Sequence, residues 1–459
     1  MNPAWSVKLY AATYPGNLIP IWLLCAVMLH AVHCGAQGVS FTTNAYNVGG
    51  NPGSVVAADI NGDGKVDLIT ANNGSSLTIL TNDGSGNFGS NATVGVGFDP
   101  YCVIAADING DGKPDLITAN IGIGSIGNNT LTVLTNNGSG GFGSNATLTV
   151  GVGPYDVIAA DVNGDGKVDL ITANFGSTYP KGNTLTVLTN NGSGGFGSNA
   201  TLTVGTNPSC VTAVDINGDG KLDLICVNDG AATLTVLTNN GSGGFGFNAT
   251  LLGQPFPNSP IWVIAADVNG DGKPDLVSVN LLGNSLTVLT NNGNGGFGSN
   301  ATLNVGSMPR CVVAADVNGD GKLDLISANS GGNTLTVLTN DGSGNFGFSA
   351  TLNVSGAPYC VVAADVNGDG KLDLISADVN GTLTVFINTT VFLGPTLNIT
   401  SAVDQIDLLW PASATNYALE STTDLSLQNW SLVTNGTPIT GGVMVTNAMP
   451  ATFFRLHQF

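Results

Sequence analysis

"AADINGDGKVDLITAN", residues 57–72, sets an aspartate-studded loop between an apolar run and a strand-like run. The chain repeats it six more times, with first loop aspartates at Asp59, Asp107, Asp161, Asp215, Asp267, Asp316 and Asp365. Four strand-like pieces recur in each unit of about 50 residues, a length that marks a repeat architecture. In the third unit they are "PYDVIAADV" (154–162), "VDLITAN" (168–174), "NTLTVLTNN" (183–191) and, after "GSGGFG", "SNATLTVG" (198–205). The first is continuously apolar and predicts a strand buried on both faces near a crowded axis. "LTVLT" alternates and predicts a strand buried on one face. The "NNGSGG" and "NDGSGN" segments carry the Asn-Gly and Asp-Gly signals of tight hairpins.

Four strands repeated seven times predict an all-β fold, a seven-bladed β-propeller. The seventh unit stops after "GTLTVFINTT" (381–390) and lacks its fourth piece. That piece stands at the start of the chain, as "VSFTTNAYNVGGNP" (39–52). The N-terminal strand therefore completes the last blade and leaves no open sheet edge.

Counted from its first aspartate, the loop D-x-N-G-D-G-K-x-D offers oxygen ligands at positions 1, 3, 5 and 9. These are Asp59, Asn61, Asp63 and Asp67, then Asp107, Asn109, Asp111 and Asp115, then Asp161, Asn163, Asp165 and Asp169. The fourth and fifth sets are Asp215, Asn217, Asp219 and Asp223, and Asp267, Asn269, Asp271 and Asp275. The last two are Asp316, Asn318, Asp320 and Asp324, and Asp365, Asn367, Asp369 and Asp373. Gly64 at position 6 permits a sharp turn, and Lys65 can add its carbonyl. A hard cation that takes six to eight oxygens is wrapped in this way, and calcium suits a flexible loop better than magnesium. Each loop carries three aspartates and one lysine, −3 + 1 = −2, so seven loops supply −14 of the formal −20. Up to seven Ca²⁺, about one per blade, would cancel that charge, and the loops read as clips for the inner hairpins.

The units resemble FG-GAP/VCBS-type repeats of integrin-like β-propellers, with "GFG" before the fourth strand and D-x-N-x-D-G-x-x-D between the first two. The resemblance covers residues 39–393. It implies a secreted or cell-surface protein with calcium on one face of the ring and ligand contacts on the opposite face. The family spans adhesion modules, lectins and a few carbohydrate-active enzymes, so fold alone leaves function open.

Residues 1–36 read as a secretory signal: Lys8, the apolar stretch "LIPIWLLCAVMLHAV" (18–32), and "CGA" ending at Ala36. Nucleic acid is argued against, because past residue 36 the bases outside the loops are Lys181, Arg310 and Arg455. Five cysteines remain past the signal, an odd number. Four of them, Cys102, Cys210, Cys311 and Cys360, stand five residues before a loop, too far apart on successive blades to pair.

No catalytic residues are assigned. Past the signal His457 is the one histidine, Glu420 is the one glutamate in the chain, and most aspartates are committed to loops. A paired-carboxylate glycosidase or a Ser-His-Asp site has no raw material. Where the repeats differ, a binding face is expected. The segments leading into the first strands and the extended loops 120–130 and 174–184 hold Tyr101, Tyr155, Asp156, Phe175, Tyr179, Lys181, Trp262, Arg310 and Tyr359. Aromatic faces with a few polar groups suit a glycan or an extracellular protein ligand; plugging of the channel or packing between blades by the same side chains is the alternative.

Residues 394–459 leave the repeat. Six short strand-like pieces, from "TLNIT" to "TFFRL", predict a small β-sandwich, and "LLWPASATNYALESTTDL" onward resembles a C-terminal module of exported verrucomicrobia-like bacterial proteins. That resemblance implies sorting or attachment at the cell surface. The reading is an exported, monomeric, calcium-stabilised propeller for adhesion or carbohydrate binding. A calcium-assisted polysaccharide lyase and a purely structural surface protein are the alternatives.

Overall fold

The computed structural model describes residues 38–122, 128–177, 181–252 and 259–390, together with strand segments between 398 and 458. The proposed signal lies outside the described residues. Seven antiparallel four-stranded sheets follow one another along the chain. Blade 1 runs Pro52–Ala58, Asp67–Asn72, Ser76–Asn82 and Phe88–Gly95. The inner strands of the next six blades are Pro100–Ala106, Pro154–Ala160, Pro208–Val214, Pro260–Ala266, Pro309–Ala315 and Pro358–Ala364. Every one opens on proline, which lacks the N–H a sheet interior would demand. Blade 7 takes its outer strand from the N-terminus: Phe41–Asn47 pairs antiparallel with Thr382–Asn388. The Val48 N–H donates to Gly381 O (2.9 Å) and the Thr389 N–H to Ser40 O (2.8 Å), fastening both ends of this strand. The expected ring closure holds.

The core lies between the blades. Leu68 is packed with Ile375, Leu383 and Val385 of blade 7, whereas its neighbour Ile69 is packed with Val103, Leu116 and Leu134 of blade 2. Successive strand residues point to opposite faces, and here both faces meet a blade. This corrects two expectations. The second strand, "DLITAN", is the one buried throughout, while the inner strand is only partly covered along the channel. The third strand, expected to be covered on one face, is buried on both over its central four residues. Thr78 is tolerated there because its hydroxyl bonds Val48 O (2.7 Å) and Asn72 Nδ2 (2.8 Å).

A ring of buried asparagines joins neighbouring blades. Asn136, at the end of a third strand, donates from Nδ2 to Pro114 O in its own blade (3.0 Å) and to Ile60 O in blade 1 (2.8 Å). Asn190, Asn239, Asn291, Asn340 and Asn388 repeat the clamp onto the carbonyls of Ile108, Val162, Ile216, Val268 and Val317. Asn82 closes the circle onto Val366 of blade 7 at 2.7 Å. Each accepting carbonyl belongs to the second residue of an acidic loop.

Blade 7 departs from the pattern at a second buried position. Six blades have asparagine as the sixth residue of the second strand; blade 7 has Asp378. At Gly97, Gly151, Gly205 and Gly306 an added Cβ would lie 2.4–2.7 Å from the local asparagine side chain. Blade 7 has Ser355 at this place, and its hydroxyl donates to Asp378 (3.0 Å), as does that of Ser376 (2.7 Å). The two changes compensate each other. Asp378→Asn alone is expected to cost about 1–3 kcal/mol, because an amide has one acceptor oxygen for the three hydroxyls of Ser355, Ser376 and Thr384 that donate to the carboxylate, and adding Ser355→Gly to recover part of it. Denaturant midpoints around this double-mutant cycle check the coupling; additive costs would refute it.

The chain divides into two compact units, one of them spanning residues 34–390. In the other, Asn398–Ala402, Gln405–Leu409, Gly442–Thr446 and Thr437–Ile439 form one antiparallel sheet. Ser431–Leu432, Tyr417–Thr422 and Phe453–Gln458 form a second. Among the described residues no helix is long and apolar enough to cross a membrane.

Candidate functional site

The acidic loops adopt one conformation seven times. Gly62 and Gly64 take φ of +75° and +81°, open to glycine without strain. Asp59 Oδ1 accepts the Gly62 N–H (2.8 Å), and Oδ2 accepts the Gly64 N–H (2.8 Å). Asn61 Oδ1 accepts the Asp63 N–H (2.9 Å) and Asp63 Oδ1 the Lys65 N–H (3.0 Å). The Lys65 ammonium lies 3.6 Å from Asp63 Oδ2, an exposed pair that contributes little to stability. Equivalent bonds recur at Asp107, Asp161, Asp215, Asp267, Asp316 and Asp365.

The ninth-position aspartates differ from the rest. Asp67, Asp115, Asp169, Asp223, Asp275, Asp324 and Asp373 are fully buried. Asp67 Oδ2 accepts the Ile60 N–H (3.3 Å), and Oδ1 accepts the Asn82 N–H (2.9 Å). The carboxylate thus ties the loop to the residue that clamps the preceding blade. Burial pushes its pKa up, and repulsion from Asp63 and Asp59 adds to this, while its two backbone donors pull the other way. At Asp324 the balance reaches about 6.

The donor set suits a hard divalent cation in kind. It is all oxygen, and it includes a buried carboxylate repelled by two acidic neighbours, with the loop lysine placed on the fifth-position aspartate instead. Among the described residues no three His, Cys, Asp or Glu groups converge as a metal cluster. The loops are held by their own N–H groups.

The opposite end of the inner strands collects the variable residues. After the seven prolines stand Gly53, Tyr101, Tyr155, Ser209, Ile261, Arg310 and Tyr359. Tyr101 and Tyr155 lie 4.0 Å apart by ring centroid, with hydroxyls hydrogen-bonded at 2.5 Å, and Phe175 stacks on Tyr155 at 5.2 Å. Arg310 sits 4.1 Å over the Tyr359 ring, and its Nε donates to Ser330 Oγ (3.2 Å). Tyr101, Tyr155, Arg310 and Tyr359, with Trp262, line a cavity of about 40 Å³. That volume holds water but not a sugar ring. Burial raises the phenol pKa of both Tyr101 and Tyr155.

Five of the expected binding residues therefore meet: Tyr101, Tyr155, Trp262, Arg310 and Tyr359. Asp156 does not line this cavity. It is buried between blades, where Oδ2 accepts the Val211 N–H (2.9 Å) and Oδ1 the Cys102 thiol (3.4 Å). Burial also raises its pKa. Lys181 is exposed at the start of the third strand of blade 3, away from the cavity, and Tyr179 lies outside the described residues. Trp262 Nε1 is buried without a partner among the described residues. Cys102, Cys210, Cys226, Cys311 and Cys360 are free thiols.

The clamp asparagines escaped the sequence reading. "NN" reads as turn chemistry, and Asn137 is such a residue, with Oδ1 accepting the Ser139 N–H (2.8 Å). Its neighbour Asn136 is the buried clamp. Recurrence of asparagine at the end of all seven third strands was the available signal.

The FG-GAP-like repeat family matches residues 59–118, 121–172, 173–226, 215–278, 267–327 and 316–376, most of the ring. No curated protein matches. The chain is similar in fold to BBS1N in complex with ARL6DN, at 12% identity over 76% of this chain and 97% of that one, with a TM-score of 0.55. It is also similar to an inactive variant of virginiamycin B lyase from Staphylococcus aureus with quinupristin, at 15% identity over 76% and 99%, with a TM-score of 0.51. A protein from Lactobacillus plantarum matches at 15% identity over 67% and 86%, with a TM-score of 0.52. Likeness at these identities marks a shared fold.

Proposed function

The chain belongs to the FG-GAP-like repeat family, and on that premise we propose that it is a calcium-clipped, non-catalytic binding module working outside the cell. One observation carries the reading. Seven loops on one rim repeat one hydrogen-bonded conformation, whereas the residues at the other end of the same strands vary from glycine and serine to isoleucine, arginine and tyrosine. Uniformity fits a structural ion, and variation fits a ligand face. In each loop the aspartates at positions 1, 5 and 9 and the asparagine at position 3 would hold the calcium, with the position 7 carbonyl. Bound calcium would supply +2 against the loop's −2 and fix the link from the inner hairpin to the clamp.

The ligand face would take a glycan or an extracellular protein on the rim around the Tyr101–Tyr155–Phe175 stack, because the cavity beneath is too small for either. Exposed Phe98, Val152, Leu282 and Met308 extend an apolar surface there. Export through the N-terminal segment and attachment through residues 394–459 complete the proposal. Glycan and matrix-protein arrays probed with the full chain are expected to show binding in calcium that falls at least tenfold in chelator. Blank arrays in calcium would overturn the binding role and favour a purely structural protein.

A further inference from the structure

The ligand face is interrupted in one place. Of the residues that follow the inner-strand prolines, only blade 1 has glycine. A Cβ on Gly53 would lie 2.9 Å from the Tyr101 carbonyl oxygen, so no larger residue fits without a shift. The gap it leaves is a cleft of about 190 Å³ between blades 7, 1 and 2. Tyr101, Tyr359, Pro100 and Val379 supply apolar walls; Asn51, Asn73 and Asp99 supply the polar lining.

Asp99 is the unusual group. It is only 5% exposed, with φ of +57°, a conformation aspartate and asparagine tolerate better than most residues. Its backbone is fully used, the N–H on Gly74 O and the carbonyl on the Ile121 N–H, both at 3.0 Å. Its carboxylate has no hydrogen-bond donor among the described residues. The polar residues at the same place in blades 4 and 5 are paired: Asn207 donates to Phe175 O (2.9 Å) and the Ser259 hydroxyl to Asp229 (2.7 Å). Burial raises the Asp99 pKa, and no opposing cause accompanies it. A carboxylate largely withdrawn from water and without a donor is costly and persists where something else completes it. Arg310, the cation of the adjoining cavity, is held by Tyr359 and Ser330.

We propose that this cleft is a binding site for a small alkylammonium ion, with Asp99 as counter-ion. An ammonium head carries three donors, and the lining offers the Asp99 carboxylate and the amide oxygens of Asn51 and Asn73 as acceptors. The alkyl stem lies between the tyrosines, Pro100 and Val379, and a tyrosine face attracts a cation. At about 30 Å³ per water-sized group, the space takes a guest of roughly six heavy atoms. With the loops' −14 balanced by calcium, −20 + 14 = −6 remains to favour cations. This site goes beyond the glycan or protein reading of the face and does not depend on it.

The test is a ligand-observed NMR titration of the full chain in calcium with n-butylammonium, and with n-butanol as the neutral analogue. The amine is expected to bind roughly tenfold or more tightly than the alcohol, and Asp99→Asn to remove the difference. Asn keeps the left-handed backbone, so the variant should fold. Asn73→Arg places a guanidinium at the rim and is expected to block the amine in a chain whose Asp99 is intact. Asp229→Asn, on the same face, should change nothing. Equal binding of amine and alcohol, or undiminished amine binding by both Asp99→Asn and Asn73→Arg, would overturn the site. Array ligands that bind while the amine does not would overturn this inference and leave the proposed function standing.

Discussion

Chelation is expected to lower the stability of the calcium-equilibrated protein by on the order of 10 kcal/mol when free calcium stands at ten times the loop Kd. Each loop then contributes about 1.4 kcal/mol by linkage, and there are seven loops. Stability of a whole domain is of similar size, so the shift in melting temperature should be on the order of tens of degrees, read by calorimetry in calcium and in EGTA. The loop geometry explains why the ion should stabilise more than its own turn. The second loop residue has its N–H on the ninth-position aspartate and its carbonyl on the asparagine of the next blade. A cation that fixes this aspartate therefore also fixes the joint between blades. Removing one loop's ligands, as in Asp161→Asn, should take away about one seventh of the effect. An unchanged melting curve in EGTA would remove the calcium from the proposal.

The repeat, the blade count and the closing N-terminal strand were legible because they are written in polar punctuation. Glycine, asparagine and aspartate at fixed spacing mark turns, and turns divide the chain into strands whatever packs on them. Burial was less legible. "PYDVIAADV" is the more continuously apolar stretch, yet "DLITAN" is the one covered completely, because the second strand lies between blades and the inner strand borders the channel. Local pattern does not state how many neighbours a strand will have. Strand alternation also separated residues that the sequence grouped together. Tyr155 faces the channel, and Asp156, the next residue, turns between blades onto Val211. The Asp99 cleft depends on Gly53, Tyr101 and Tyr359 meeting, and Tyr359 comes from the last blade. Only the closed ring brings it beside the first.

Asp169→Ala is expected to destabilise the protein by about 2–6 kcal/mol even in chelator, apart from any metal it would hold. Its Oδ2 accepts the Val162 N–H (3.2 Å) and its Oδ1 the Asn190 N–H (2.9 Å), and the side chain is fully buried. Truncation strands both donors, at about 1–3 kcal/mol each. It also loosens Asn190, which spans to Ile108 of blade 2 and Val168 of its own loop. Asp165, four residues earlier in the loop, is an exposed partner of Lys167, so Asp165→Ala should cost little in chelator. In calcium both variants lose a ligand, so both costs should rise by about the same linkage contribution and the gap between them should stay as it is in chelator. Urea midpoints for the two variants, with and without EGTA, separate the roles of the aspartates. If Asp169→Ala matched Asp165→Ala in chelator, the ninth-position carboxylate would be a ligand alone, and the tie between loop and clamp would carry no stability.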